Sequence, residues 1–263
     1  MAHQSGESAR GALADGTATA RLGLRAAGVL SLSVLAWAAL AWLTIDMGHP
    51  LAQLTMPASS HWSLAQALAV WAMWAVMMAA MMLPSALPMI LAFIKLGNDA
   101  VGVARARSFV AAYLLVWCAF SAAASVAQWA SQAAGWVDPM IVSRSVGLTA
   151  ALLLIAGLYQ FSPLKRICLS SCRTPMAFLL GEWRGGVSGA FVMGLRHGLF
   201  CLGCCWALMA LLFVGGAMNL AWVAALSIAV AVEKLAPHGD RLARLLGAAL
   251  IATGLWRLGT LLM

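Results

Sequence analysis

The sequence predicts an all-α protein, a polytopic transmembrane helical bundle of about seven spans. Three observations carry this. Of 263 residues, 63% are hydrophobic and only 9% charged, where soluble domains carry about 25% charged residues. Mean hydropathy is +0.92. The apolar residues fall into runs near 20 residues long, the length that crosses a bilayer core, and the cations gather between them. The net charge of +8 therefore reads as the loop asymmetry that orients membrane helices. It does not indicate a nucleic-acid partner.

Residues 1–25 are rich in Ala, Gly, Ser and Thr, with Arg10, Arg21 and Arg25, and read as a disordered cytoplasmic tail. Residues 26–263 read as a single transmembrane domain. Its first run, Ala26 to Ile45, lacks a cleavage site and is too long for a signal-peptide core, so it is a retained span. The following loop holds Asp46, Met47, His49, Met56 and His61. Turn residues crowd it, which favours an ordinary loop over a weak metal-loading site.

The second span, about Leu64 to Ile94, carries two methionine rows. Met73, Met77 and Met81 share one helical row; Met78 and Met82 form the next. Methionine fills cores and also offers a soft thioether. Pro84 removes a backbone hydrogen bond and should kink the helix. The carbonyl so freed needs another partner at membrane depth.

A basic loop, Lys95 to Arg107, leads to a third span, Ser108 to Ala130, where Cys118 reads as packing. A fourth span covers Arg144 to Phe161. Then Cys168 and Cys172 stand four residues apart, one helical turn, so that both thiols share a face. Lys165, Arg166 and Arg173 nearby would favour thiolate. Met176 to Trp183 is short and suits an interfacial segment.

The fifth span, Val187 to Phe213, holds Gly194-Leu-Arg-His-Gly-Leu-Phe-Cys-Leu-Gly-Cys-Cys-Trp206. On a helix, Met193, His197, Cys201, Cys204 and Leu208 share one stripe, with Cys205 at its edge. Thiolates, thioether and imidazole together suit Cu(I), and next Zn(II), far better than Mg or Ca. Cysteines packed as small hydrophobes are the alternative. Arg196 lies within this span and needs a partner; Glu233, at the inner end of the sixth span (Leu220 to Val232), is the expected acid. Alternatively Glu233 pairs with Lys234 or with water. The last run, Leu242 to Met263, is the seventh span. Most Lys and Arg then lie on one side, which places the N-terminus in the cytoplasm and the C-terminus outside.

The chain resembles an uncharacterised bacterial family of predicted metal-binding integral membrane proteins, a domain of unknown function. Three blocks carry the resemblance, with a core region of about 71–237. They are Trp74 to Pro84, Gly157 to Cys172, and Met193 to Met209, the last continuing through Asn219 to Glu233. The resemblance implies residence in a membrane, here the bacterial inner membrane, and suggests metal.

The expected ligands are His197, Cys201, Cys204, Cys205, Met193, Met77, Met81, Met78, Met82, Cys168 and Cys172, with Arg196 and Glu233 as a charge pair. The expected function is binding of copper or zinc for transport or delivery. Expected partners are the lipid bilayer, the metal ion and a metal-accepting protein. A route from outer Met and His groups to an inner Cys168/Cys172 station follows from this order. The rivals are a thiol–disulfide redox protein using Cys201 and Cys204, and a non-catalytic membrane assembly subunit. The C-x-x-C pair lacks its usual place at the start of a helix in a βαβ fold.

Overall fold

The computed structural model describes residues 23, 26–59, 61–96 and 100–262. The expected disordered tail, with Arg10, Arg21 and Arg25, lies outside the described residues except for Gly23. In chain order the helices are α1 (Ala26–Ile45), α2 (Pro50–Thr55), α3 (Leu64–Leu96), α4 (Ala100–Ala133), α5 (Val146–Tyr159), α6 (Pro163–Arg173), α7 (Pro175–Glu182), α8 (Gly186–Ala210), α9 (Leu212–Gly215), α10 (Leu220–Leu235) and α11 (Gly239–Leu262). The architecture is an all-α bundle.

Among the described residues, five helices are long and apolar enough to cross a membrane: α1, α3, α4, α11, and α8 continued by α9. A sixth crossing arises if α5 and α6, bent by 64° at their junction, count as one. Seven spans were expected, and the difference lies in α5 and α10. At 14 and 16 residues, they reach about 21 and 24 Å at 1.5 Å per residue. Neither alone matches a core about 30 Å thick.

Local chemistry explains the breaks. Ser145 caps α5 by accepting from the Leu148 N–H at 3.2 Å. After α5, Ser162 accepts from the Lys165 N–H at 3.1 Å, and Pro163 opens α6. A proline in the first turn fits because that N–H has no helical partner. Asn219 caps α10 in the same manner, through Trp222. His49 caps α2 by accepting from the Leu51 N–H at 3.2 Å and packs edge-on to Trp42.

α3 runs unbroken through Pro84 and Pro88. Pro84 has no N–H for the Ala80 carbonyl, four residues back. Two donors of α1 replace it: Ser33 Oγ at 2.9 Å and Trp37 Nε1 at 3.1 Å. The proline thereby docks the peripheral first helix onto the core.

α8 packs chiefly against α4 and α6, and α5 against α11. Glycines set the first pair of contacts. A side chain at Gly194 would strike the Phe109 backbone of α4. One at Gly203 would lie 2.7 Å from Cys168 Sγ of α6. Small residues at such contacts are how membrane helices approach closely, and here they bring α4, α6 and α8 around one buried point.

Candidate metal centre

The α8 stripe faces inward. Met193, His197, Cys201, Cys204, Cys205 and Leu208 are all buried. The Cys204 and Cys205 thiols bond back to the Cys201 carbonyl at 3.1 and 3.0 Å, which holds both side chains down on the same turn. Four other helices add to this turn. From α3, Met82 places its sulfur 4.0 Å from Cys205 Sγ. From α4, the Tyr113 hydroxyl lies 3.1 Å from Cys201 Sγ and also donates to the Met82 carbonyl at 3.2 Å. From α6, Cys172 is partly buried and packs against the core that holds Cys201, Cys204 and Cys205. From α10, Lys234 Nζ donates to Cys201 Sγ at 3.0 Å and to Ser85 Oγ at 3.2 Å, with Met82 Sδ at 4.0 Å.

This is a sulfur cluster built around an ammonium group. Lys234 is 5% exposed, and a buried ammonium is costly unless paired and hydrogen-bonded. Its neighbours include a thiol, a hydroxyl and a thioether.

The donor set fits a soft metal. With metal–sulfur bonds of about 2.3 Å, two sulfurs on one ion lie about 3.8 Å apart at a tetrahedral angle and about 4.6 Å apart when linear. The Cys205–Met82 separation of 4.0 Å falls in this range. His197 adds an orphan: it is 2% exposed, and its Nδ1 has no hydrogen-bond partner among the described residues. Its ring lies between Phe109 and Tyr113 on one side and the edge of Phe178 on another. Among the described residues, no three His, Cys, Asp or Glu side chains stand as a preformed cage for a metal ion.

A family model described as a copper chaperone, PpoB2, matches residues 71–257. The chain belongs to this PpoB2 family. No curated protein and no solved structure matches it. The match supports a metal-related family, as the resemblance suggested, and describes it by copper. The PpoB2 match begins at Trp71, as the resemblance did, and extends beyond it through most of α11.

Within this PpoB2 chain the expected ligands separate. Cys201, Cys204, Cys205 and Met82 converge, and Cys172 packs against the same core. Cys168 is buried beside them, against Gly203. The expected Cys168/Cys172 pair of α6 thus lies close to the α8 thiols. Met77, Met78 and Met81 are buried in the hydrophobic core. Met193 turns its sulfur to the Arg184 N–H, 3.4 Å away.

The expected charge pair Arg196–Glu233 is replaced by two others. Arg196 pairs with Glu182 of α7, fourteen residues before it and partly exposed. Glu233 pairs with Lys165 of α6 at 2.6 Å and accepts from Gln160 Nε2 at 2.8 Å. The alternative partner, Lys234, is also excluded geometrically, since adjacent helical residues do not face each other. Lys165 is thus engaged by a carboxylate, and Lys234 serves the thiols. Sequence reading missed Lys234, Tyr113 and Ser85. The available signal was Glu233-Lys234 itself: opposite charges side by side on a helix must look in different directions.

Proposed function

We propose that this chain is an integral membrane protein that binds Cu(I) as cargo at the α3–α6–α8–α10 junction and passes it to a metal-accepting protein. The thiols of Cys172, Cys201, Cys204 and Cys205 and the thioether of Met82 are the ligand pool, with His197 and Cys168 at its margin. The carrying observation is the approach of Cys205 Sγ and Met82 Sδ to 4.0 Å beside Cys201. Cu(I) ranks above Zn(II) because sulfur donors predominate and because the family description names copper. Lys234 and Tyr113 are positioning residues that orient and charge-balance Cys201. Lys and Arg asymmetry supports a cytoplasmic N-terminus in a bacterial inner membrane.

Cu(I) titration of the reduced, detergent-purified full chain against a colour-forming chelator tests the reading. Wild type and Cys118→Ser bind alike. Cys201→Ser/Cys205→Ser binds at least about tenfold more weakly, the lower bound for perturbing even an outer-shell partner. Equal binding by the double variant would sink the proposal. Reversible trapping of Cys201 with Cys204 as a disulfide, without copper binding, would favour redox chemistry instead.

A further inference from the structure

A second cavity, of about 630 Å³, opens on the other side of α6. It is lined by Gln160, Lys165, Arg166 and Arg173 from the α5–α6 region and by Asp240 and Arg244 from α11. This volume falls within the range of small-molecule sites. Four cations face one carboxylate, but they are not equivalent. Lys165 is held by Glu233. Arg173 is held by Asp240 at 3.1 Å and by the Ala236 and Pro237 carbonyls at 2.8 and 2.9 Å, which fixes the turn between α10 and α11 as the cavity wall. Arg166 and Arg244 have no ion pair among the described residues. Their guanidinium groups have the fork geometry that binds phosphate oxygens.

Gln160 supplies a second, independent requirement. Its Nε2 donates to Glu233. A carboxylate only accepts, so this bond fixes which end of the amide is which. Oε1 then points away, buried and with no donor among the described residues, in a residue that is 4% exposed. A ligand that satisfies the cavity needs an anionic group for the arginines and a hydroxyl or amine donor for Gln160.

The rim indicates the source. Phe161 and Leu164 on one side, and Leu242 and Leu245 on the other, are exposed apolar side chains flanking the basic lining. α6 thus presents thiols to α8, cations to the cavity and aliphatic groups outward. Such a helix lies along a membrane interface, with its apolar face among acyl chains.

We propose that this cavity binds a phosphate ester carrying a hydrogen-bond donor, supplied by the headgroup of an anionic phospholipid such as phosphatidylglycerol. Arg166 and Arg244 take the phosphate, and Gln160 Oε1 accepts from the glycerol hydroxyl. The inference rests on the membrane placement and is independent of copper. It puts a lipid site back to back with the thiol cluster, separated by α6 and by the Lys165–Glu233 pair next to Lys234.

Native mass spectrometry of the full chain in detergent, after exchange with phosphatidylglycerol or phosphatidylcholine, reads the occupancy. Wild type retains phosphatidylglycerol preferentially. Arg166→Gln/Arg244→Gln lowers its apparent affinity about tenfold or more. Lys95→Gln/Arg184→Gln, which removes the same charge elsewhere, keeps wild-type retention. Arg166→Lys/Arg244→Lys retains an intermediate preference and guards against misfolding of the glutamine variant. Competition by glycerol phosphate at equal concentration supports the site with a soluble source. Equal retention of the two lipids by wild type, or equal losses in the two glutamine variants, overturns the proposal.

Discussion

Lys234 Nζ lies 3.0 Å from Cys201 Sγ, inside a sulfur-lined junction where the lysine is 5% exposed. A membrane interior tolerates such a cation when it serves a purpose. On the proposed reading, two thiolates on a monovalent metal would leave a net negative charge, which the ammonium would balance without being a ligand.

Replacement of Lys234 by Met keeps the bulk of the side chain and removes the charge. Lys234→Met should weaken Cu(I) binding about 10- to 100-fold, the usual effect of losing an outer-shell partner. The chelator titration reports this directly. Tighter binding by the variant would show that the ammonium competes for the cluster and does not support it.

The Lys165–Glu233 pair makes a separate claim about stability. Both side chains are almost fully buried and the separation is 2.6 Å. Glu233→Ala or Lys165→Ala leaves one charge buried without its partner. Each should destabilise by about 3–5 kcal/mol. Lys165→Met/Glu233→Leu should recover much of that, because apolar replacement of a buried pair is often near neutral. Thermal unfolding in detergent distinguishes the three. Losses that simply add in the double variant would contradict the pairing.

Helix approach at the centre depends on Gly194 and Gly203. A Cβ at Gly194 meets the backbone of Phe109, which cannot swing aside; one at Gly203 meets the Cys168 sulfur. Gly194→Ala should cost about 1–3 kcal/mol by overpacking. Gly203→Ala should cost less, since a side chain can shift, but it should disturb the thiols of α6. The measurements are unfolding midpoint for the first and copper affinity for the second. A wild-type midpoint for Gly194→Ala would refute the close contact.

Much of this was legible in the residues. Apolar runs gave the helices because their lengths and periodicity are local properties. The α8 stripe was legible for the same reason: residues three and four apart share a face whatever the helix packs against. Pro84 announced a freed carbonyl, though not that Ser33 and Trp37 would satisfy it. The expected count of about seven differs from the five to six candidate spans where α5 and α10 are short, with caps at Ser162 and Asn219 marking the breaks.

The sequence by itself determined an apolar helical chain with cysteines, an imidazole and methionines on definite helix faces. Tertiary structure decided which of those faces meet. It chose Met82 from among several buried methionines, packed Cys172 against the core that holds the α8 thiols, gave Glu233 to Lys165 and Arg196 to Glu182, and brought Lys234 to Cys201. The physical reason is that helical periodicity fixes the direction of a side chain about its own axis. The partner it finds depends on how closely neighbouring helices approach, and here glycines on α8 set that distance.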